Sequence, residues 1–413
     1  MAGEFSPAAD PPRTPTVLAT YRSPINTVAG RIIADVSDEI PFYEPSAAPL
    51  CLFFRGLKKK RVATQRRFDH FEKDPYPAQG INTAAVLVAG VTVNVQAGEG
   101  ARFRANDVVL NRNTGELVLV TVVTVDALTI VRNIDGRGAV AMAAGDELEI
   151  IGSTFEDGAA MGALRSTAET NVFNYCQIFR HGFGWSRRDA TSDMYGGSDP
   201  DLELKAQGIE HEKQIERSML FGGRFLRTGA GGHEQTGSGG LDYFVTTNVW
   251  DLGNTEPTER QFVTFMEQAM RYGKNSNVGG GGSKLFIGSR RWMTWFDKIA
   301  RDRVRYVDVG ELLGRGRIGL TVGEFHTVHG MLTLISHPML VGKNSGRAFV
   351  VDPAELRFRY HQGGNGFPDG NTRLLEDRQA NDVDGEWLEY QTDGGLQVML
   401  EASHSKLLNL ALS

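Results

Sequence analysis

The sequence predicts an α+β fold, with strands and helices gathered in separate stretches of the chain. Three observations carry that prediction. Residues 83–152 are dense in valine and threonine, in short runs with no helical period. Residues 199–220 hold a long, sparsely apolar helical pattern, and residues 258–344 alternate helix and strand signals. The alternation describes a small α/β unit, and the segregated strands elsewhere make the whole chain α+β.

Residues 1–45 carry Pro7, Pro11, Pro12, Pro15, Pro24, Pro41 and Pro45 and no sustained apolar period, so they run extended as an arm. A short apolar element at 47–57 follows. Arg55, Lys58, Lys59, Lys60, Arg61, Arg66 and Arg67 then place seven cations in thirteen residues. The plainest reading of that cluster is a solvated or salt-bridged strand. Within 83–152 the β runs are 84–95, 107–110, 117–125, 128–132 and 147–151, with turns at Asn113-Thr-Gly115 and Asp135-Gly136. This compact antiparallel module lies between two charged extended segments, 61–74 and 170–181, which places it at the tip of a long hairpin.

After Gly197 the pattern turns helical. Ser198 or Asp199 can cap, Pro200 suits the first turn, and Leu202, Ala206, Ile209, Lys213, Ile215, Met219 and Leu220 trace a narrow stripe. At about 1.5 Å per residue such a helix is about 34 Å long. A stripe this narrow suits a spine that rests on a sheet on one side and meets water or another subunit on the other. Thr258 and Gln261 then form a capping box ahead of Phe262, Phe265, Met266, Ala269 and Met270, and Gly273 closes that helix. A buried strand at 284–288, a helix bearing Trp292, Trp295, Phe296 and Ile299, and a strand at 331–335 complete the α/β unit. The tail reverts to strands at 348–351, 356–360, 386–392, 396–402 and 407–412.

Composition narrows the function classes. The chain has 413 residues and a formal charge of 44 − 50 = −6, and its length allows two or three domains. With 41% hydrophobic and 9% aromatic residues it is not disordered throughout. Its longest apolar run, 118–125, is broken by Thr121 and Thr124 and falls far short of the roughly 18 residues of a bilayer-crossing helix, so no membrane role is expected. The first 22 residues do not read as a signal peptide. Cys51 and Cys176, far apart in apolar surroundings, suit free thiols in a reducing, cytosolic folding environment. Glycine, 49 of 413, clusters at 229–240, 279–282 and 363–370 and points to loops.

Nothing in the sequence assembles an active site. Gly314-Arg-Gly316-Arg-Ile-Gly319 has the spelling of a dinucleotide loop, but Leu320-Thr-Val-Gly323 continues it as a strand where a helix N-terminus is required. Gly279 to Gly282 precedes a strand, and Ser283 stands where a phosphate loop needs glycine. His326, His329 and His337 lack a third close ligand of fixed geometry, so no metal site is expected. Cys176 reads as a buried structural thiol, and Glu376-Asp377 as surface charge. The expectation is no catalytic residue, no cofactor and no metal.

The order of elements resembles that of the major capsid proteins of tailed bacteriophages, which share the Hong Kong 97-type fold. The strings that carry the resemblance are Glu44-Pro-Ser-Ala-Ala-Pro49-Leu, Asn174-Tyr-Cys-Gln-Ile-Phe-Arg180, Gly208-Ile-Glu-His-Glu-Lys-Gln-Ile-Glu216, Lys284-Leu-Phe-Ile-Gly-Ser289, Val351-Asp-Pro-Ala-Glu355 and Thr392-Asp-Gly-Gly-Leu-Gln-Val-Met-Leu-Glu401. It implies an N-arm at 1–45, an extended E-loop region at 46–190 with the β module 83–152 inserted, a peripheral domain from 191–257 with 345–413, and an axial domain at 258–344. It further implies a virion protein, assembled in the host cytoplasm, whose hexamers and pentamers close an icosahedral shell around double-stranded DNA. Its partners would be copies of itself, a portal, a scaffold or protease, and decoration proteins. With Met1 in the chain, removal of an N-terminal scaffolding segment is not expected.

The charge agrees with that reading, because packaged DNA must slide, and a chain of net charge −6 gives phosphates only weak, sequence-independent contact. The expected subunit interface pairs Arg61, Arg66 and Arg67 with acids of a neighbouring spine helix, namely Glu203, Glu210, Glu212 and Glu216. Two other readings stay open at this point. One is an encapsulin-type shell of the same fold. The other is an α/β enzyme centred on 258–344, which would be a discrete monomer or dimer with a pocket of perturbed titratable groups.

Overall fold

The computed structural model describes residues 48–56, 60–160, 162, 164, 166–192, 199–273, 282–299, 304–308, 321–362 and 372–411. The expected arm at 1–45, the helix-capping Ser198, the 314–319 stretch, residues 279–281 and the 363–370 cluster lie outside the described residues. The chain divides into two units. One comprises Met1–Cys51, Phe179–Glu216 and Thr372–Thr392, and the other Leu52–Ile178, Arg217–Asn371 and Asp393–Ser413.

In the second unit the valine-rich region folds as expected. Its six-stranded sheet runs in the order Gln79–Ile81, Glu147–Ser153, Asp107–Asn111, Leu117–Thr124, Ala127–Val131 and Thr92–Asn94. Alternation places Val109, Val118, Val120, Leu128, Ile130 and Leu148 in one core. A register shift between Val120 and Val122 flips the alternation, so Val122 is exposed. The turn after Leu117–Thr124 sets Val125 at φ 52° and brings its carbonyl against Gly100, where a Cβ would lie 1.8 Å from that oxygen, so only glycine fits there.

Two strands flank this module in sequence and pair with each other. Arg67–Glu72 and Thr170–Tyr175 form an antiparallel ribbon, Arg67 opposite Tyr175 and Glu72 opposite Thr170. The segments on either side of the module in sequence are therefore joined as one ribbon.

The second core of this unit is a seven-stranded mixed sheet in the order Val249–Thr255, Ser405–Leu410, Ala348–Val351, Ser283–Gly288, Gly330–Ser336, Thr321–Thr327 and Val304–Asp308. Helix Glu259–Ala269 starts at the predicted capping box, with Thr258 as N-cap and Gln261 answering it. Phe262, Trp292, Trp295, Phe296, Phe286 and Phe325 fill the space between the helices and the sheet, and each is almost wholly buried. The indole N–H groups stay satisfied: Trp292 donates to Gly346 O (3.2 Å) and Trp295 to Pro257 O (3.0 Å). Ser283–Gly288 and Gly330–Ser336 are parallel, and helix Arg290–Ile299 lies in the connection that a parallel pair requires. The sheet corrects one expected boundary. It takes strands from 249–255, 348–351 and 405–410, so the α/β unit is not confined to 258–344.

A five-stranded sheet has the order Lys60–Ala63, Leu356–His361, Gly385–Val398 and Gln177–Ser186, with Arg373–Leu375 also on Gly385–Val398. Here a second expectation fails. The strands predicted at 386–392 and 396–402 leave a break at Asp393-Gly-Gly395, but the chain runs straight through as one 14-residue strand, Gly385–Val398. Both glycines serve close approach instead. A Cβ on Gly394 would lie 2.7 Å from Arg359 O, and one on Gly395 would lie 2.4 Å from Tyr175 O.

In the first unit the spine helix, Asp199–Phe221, is present at its predicted length, its last residues falling in the second unit. The Tyr390 hydroxyl donates to Leu204 O (3.1 Å), and its ring packs on Gly208 and stacks with Phe183 and His211.

Candidate assembly surface

Arg61, Arg66 and Arg67 are all exposed in the second unit, on Lys60–Ala63 and at the start of the ribbon. Arg66 forms an ion pair with Glu234. Arg67 bonds Asp69 (2.8 Å) and lies over the ring of Phe173, 4.0 Å from its centroid. Arg224 covers the same ring at 3.9 Å and donates to Phe173 O (2.8 Å), so the base of the ribbon is clasped by two guanidiniums. Further along, Phe71 is 72% exposed, while Glu72 accepts from Leu400 N (2.6 Å).

The acids of the spine helix divide. Glu203 accepts from Gln207, four residues on, and Glu210 bonds Lys213 (2.7 Å), so both are held within their own helix. Glu212 is half-buried, and its carbonyl faces the Cys51 thiol at 3.9 Å. Glu216 departs from expectation. It is wholly buried, and its two oxygens accept the Leu50 and Cys51 amides at 2.6 and 2.9 Å. Those amides open helix Pro49–Gly56, where a carboxylate satisfies orphan donors and complements the helix dipole. Glu216 is therefore an internal cap and leaves the set of surface acids. Its position three and four residues ahead of the apolar Met219 and Leu220 was the available signal.

Where sequence reasoning considered chemistry, the structure supplies plain roles. Burial, with the charge of Asp393 adding to it, pushes the Cys176 thiol up to about 12, so it stays a neutral core group. His326 lies 3.3 Å from Glu324, and His337 is buried and accepts from Met339 N (3.2 Å). Among the described residues no group of His, Cys, Asp and Glu is placed to hold a metal. Lys284, the first residue of the predicted buried strand, is itself buried and donates to the carbonyls of Ala269 (2.5 Å), Tyr272 (2.7 Å) and Ser403 (2.5 Å). It ties the end of helix Glu259–Ala269 to the tail, a structural clasp.

The ribbon leaves Phe71 exposed beside an arginine-clasped base, apolar surface of the kind that association covers. Comparison with known proteins names the family. The chain belongs to the SU10 major capsid protein family, whose model matches residues 17–411. The major capsid protein of Pseudomonas phage PaMx41 is 25% identical over 328 residues, covering 77% of this chain and 76% of that protein. Among solved structures, the capsid of a native GTA particle covers 95% of this chain and 100% of its own, with 9% identity and a TM-score of 0.49. The capsid of Myoviridae phage XM1 covers 92% and 100%, with 10% identity and a TM-score of 0.43. By that membership the chain is a shell-forming phage capsid protein, its architecture is α+β, and its family is a structural one. The encapsulin and enzyme readings give way to it.

Proposed function

We propose that this chain assembles into hexamers and pentamers that close an icosahedral head around double-stranded DNA. The two-stranded ribbon carries the reading. Isolated two-stranded ribbons are marginal in water, and this one holds Phe71 72% exposed beside its clasped base, so a neighbouring copy is the natural cover. Residues 46–190 act as the E-loop region with the module 83–152 inserted, residues 1–45 as an arm on neighbours, 191–257 with 345–413 as the peripheral domain, and 258–344 as the axial domain. Arg61, Arg66 and Arg67 meet acids of the adjoining subunit, and for Arg66 and Arg67 the spine-helix candidates are Glu203, Glu210 and Glu212.

A portal, a scaffold or protease, and decoration proteins are the further partners, and assembly takes place in the host cytoplasm before the virion is complete. Contact with DNA is weak and sequence-independent, in keeping with the net charge of −6. Reversing two charges tests the interface. The R66E/R67E variant should remain soluble yet fail to form shells in sedimentation and electron micrographs, and normal shells from it would refute the assignment.

A further inference from the structure

In the second unit a group of like charges lies side by side. Lys60–Ala63 and Leu356–His361 pair in parallel, which sets Arg61 directly beside Arg359. Arg357 and Arg359 are two apart on one strand and so share its face. The residues paired with them on the other side, Gln397 and Gly395, are uncharged. Like charges across a strand pair are destabilising, yet no carboxylate pairs with Arg61, Arg357 or Arg359 among the described residues. Arg359 is held by neutral acceptors, Gln397 Oε1 at 2.7 Å and Val62 O at 3.1 Å. Its own burial and then the charges of Arg357 and Arg61 press its pKa down. Asp393, at the end of this face, lies toward His361 at 3.9 Å. Arg61 is exposed and Arg357 half-buried, so the group is open to an anion from outside.

The first unit holds the opposite arrangement. Glu376, Asp377, Asp382, Asp384 and Glu386 are all exposed within eleven residues. Asp384 bonds Arg187 (3.0 Å), and Arg378, the cation inside the segment, faces Glu389 (3.7 Å). Glu376, Asp377, Asp382 and Glu386 have no cation beside them among the described residues.

We propose that the Arg61, Arg357 and Arg359 face receives the acidic 376–386 segment of a second copy of this chain. The inference rests on the self-assembly argued above and names the partner surface for Arg61. Charge complementarity selects the segment. The spine carboxylates Glu203 and Glu210 are engaged within their own helix, whereas those of 376–386 stand in water. Neutralising three adjacent guanidiniums also removes the repulsion that the isolated subunit carries.

Charge exchange tests the contact. R61E/R357E and, separately, D377K/D382K should each lower shell yield by tenfold or more in sedimentation while the subunit stays soluble. All four changes in one chain should restore it. R61Q/R357Q removes the charge while keeping hydrogen-bonding side chains, and should lose shells at lower salt than the unmodified chain. Shells from either reversed variant at the unmodified yield, or no recovery in the combined one, would overturn the contact. So would R61E/R357E that assembles normally but loses binding to a short DNA duplex, because the face would then serve phosphates. If the unmodified chain forms no shells under the same conditions, the self-assembly reading itself fails and this contact with it.

Discussion

Two buried histidines set how the folded subunit responds to acid. Burial, and then the neighbouring His181, lowers His211 to about 4, and its Nε2 lies 2.8 Å from Thr392 Oγ1. Burial likewise lowers His404 to about 4; it accepts from Asp352 N at 3.2 Å and lies 3.1 Å from Met399 O. Both side chains stay neutral in the folded chain down to that value, whereas in the unfolded chain they take a proton near 6.5. Between those values the unfolded state binds more protons, so stability falls as pH drops from about 6.5 to 4. Denaturant melts of the subunit across that window should show the decline, and H211Q should flatten part of it. An unchanged slope in H211Q would assign the effect elsewhere. The same side chains show where sequence reading stops. The arginine cluster and the capping box were visible as strings, but the burial of Glu216, Lys284 and His404 depends on partners as far as 166 positions away.

At the scale of elements, local signals were legible wherever local chemistry decides the conformation. The valine runs located four module strands, 107–111, 117–124, 127–131 and 147–153, to within a few residues, while the run 84–95 holds only Thr92–Asn94 as strand and Gln79–Ile81 was not foreseen; Thr258 with Gln261 fixed a helix start to the residue. Long-range pairing was not legible. Nothing in Val249–Thr255 says that it lies parallel to Ser405–Leu410, and Asp393-Gly-Gly395 reads as a turn because glycine marks both turns and crowded strands. That ambiguity yields a prediction. In a turn, G395A would cost little. Here the added methyl group meets Tyr175 O and the Ser238 hydroxyl, at 2.4 and 2.6 Å, and both belong to a network in which Asn174 bonds Ser238 and Leu396 O. G395A should destabilise the subunit by about 1–3 kcal/mol, the usual cost of overpacking. Denaturant titration measures it, and a change below about 0.5 kcal/mol would restore the turn reading.

Among the described residues, the second unit's two largest cores, one in the valine module and one beneath the seven-stranded sheet, share no residue. Cores so separated melt as separate cooperative units. The Glu116–Arg132 pair gives a handle on one of them alone. Glu116 is wholly buried and Arg132 nearly so; Arg132 Nε donates to Glu116 Oε1 at 3.0 Å and Nη2 to Oε2 at 2.5 Å. Arg132 also donates to Leu87 O (2.6 Å) and to Val140 O, so it draws together three segments of the module. Removing one partner leaves a buried charge unanswered and costs about 3–5 kcal/mol. Calorimetry of the unassembled subunit should therefore resolve at least two transitions, and E116A should lower one by about 10 °C or more while leaving the sheet core in place. Carboxyl chemistry offers an independent check on the assignment. Burial raises the Glu116 pKa, but the Arg132 bonds, the Val140 and Asn133 amides and the Arg132 charge together outweigh it and hold the group below the usual carboxylate range, so its contribution is complete above about pH 4.5 and fades as pH falls further. The transition that E116A lowers should be the one that loses this acid-sensitive component. A single transition that shifts as a whole would mean the module and the sheet fold as one body.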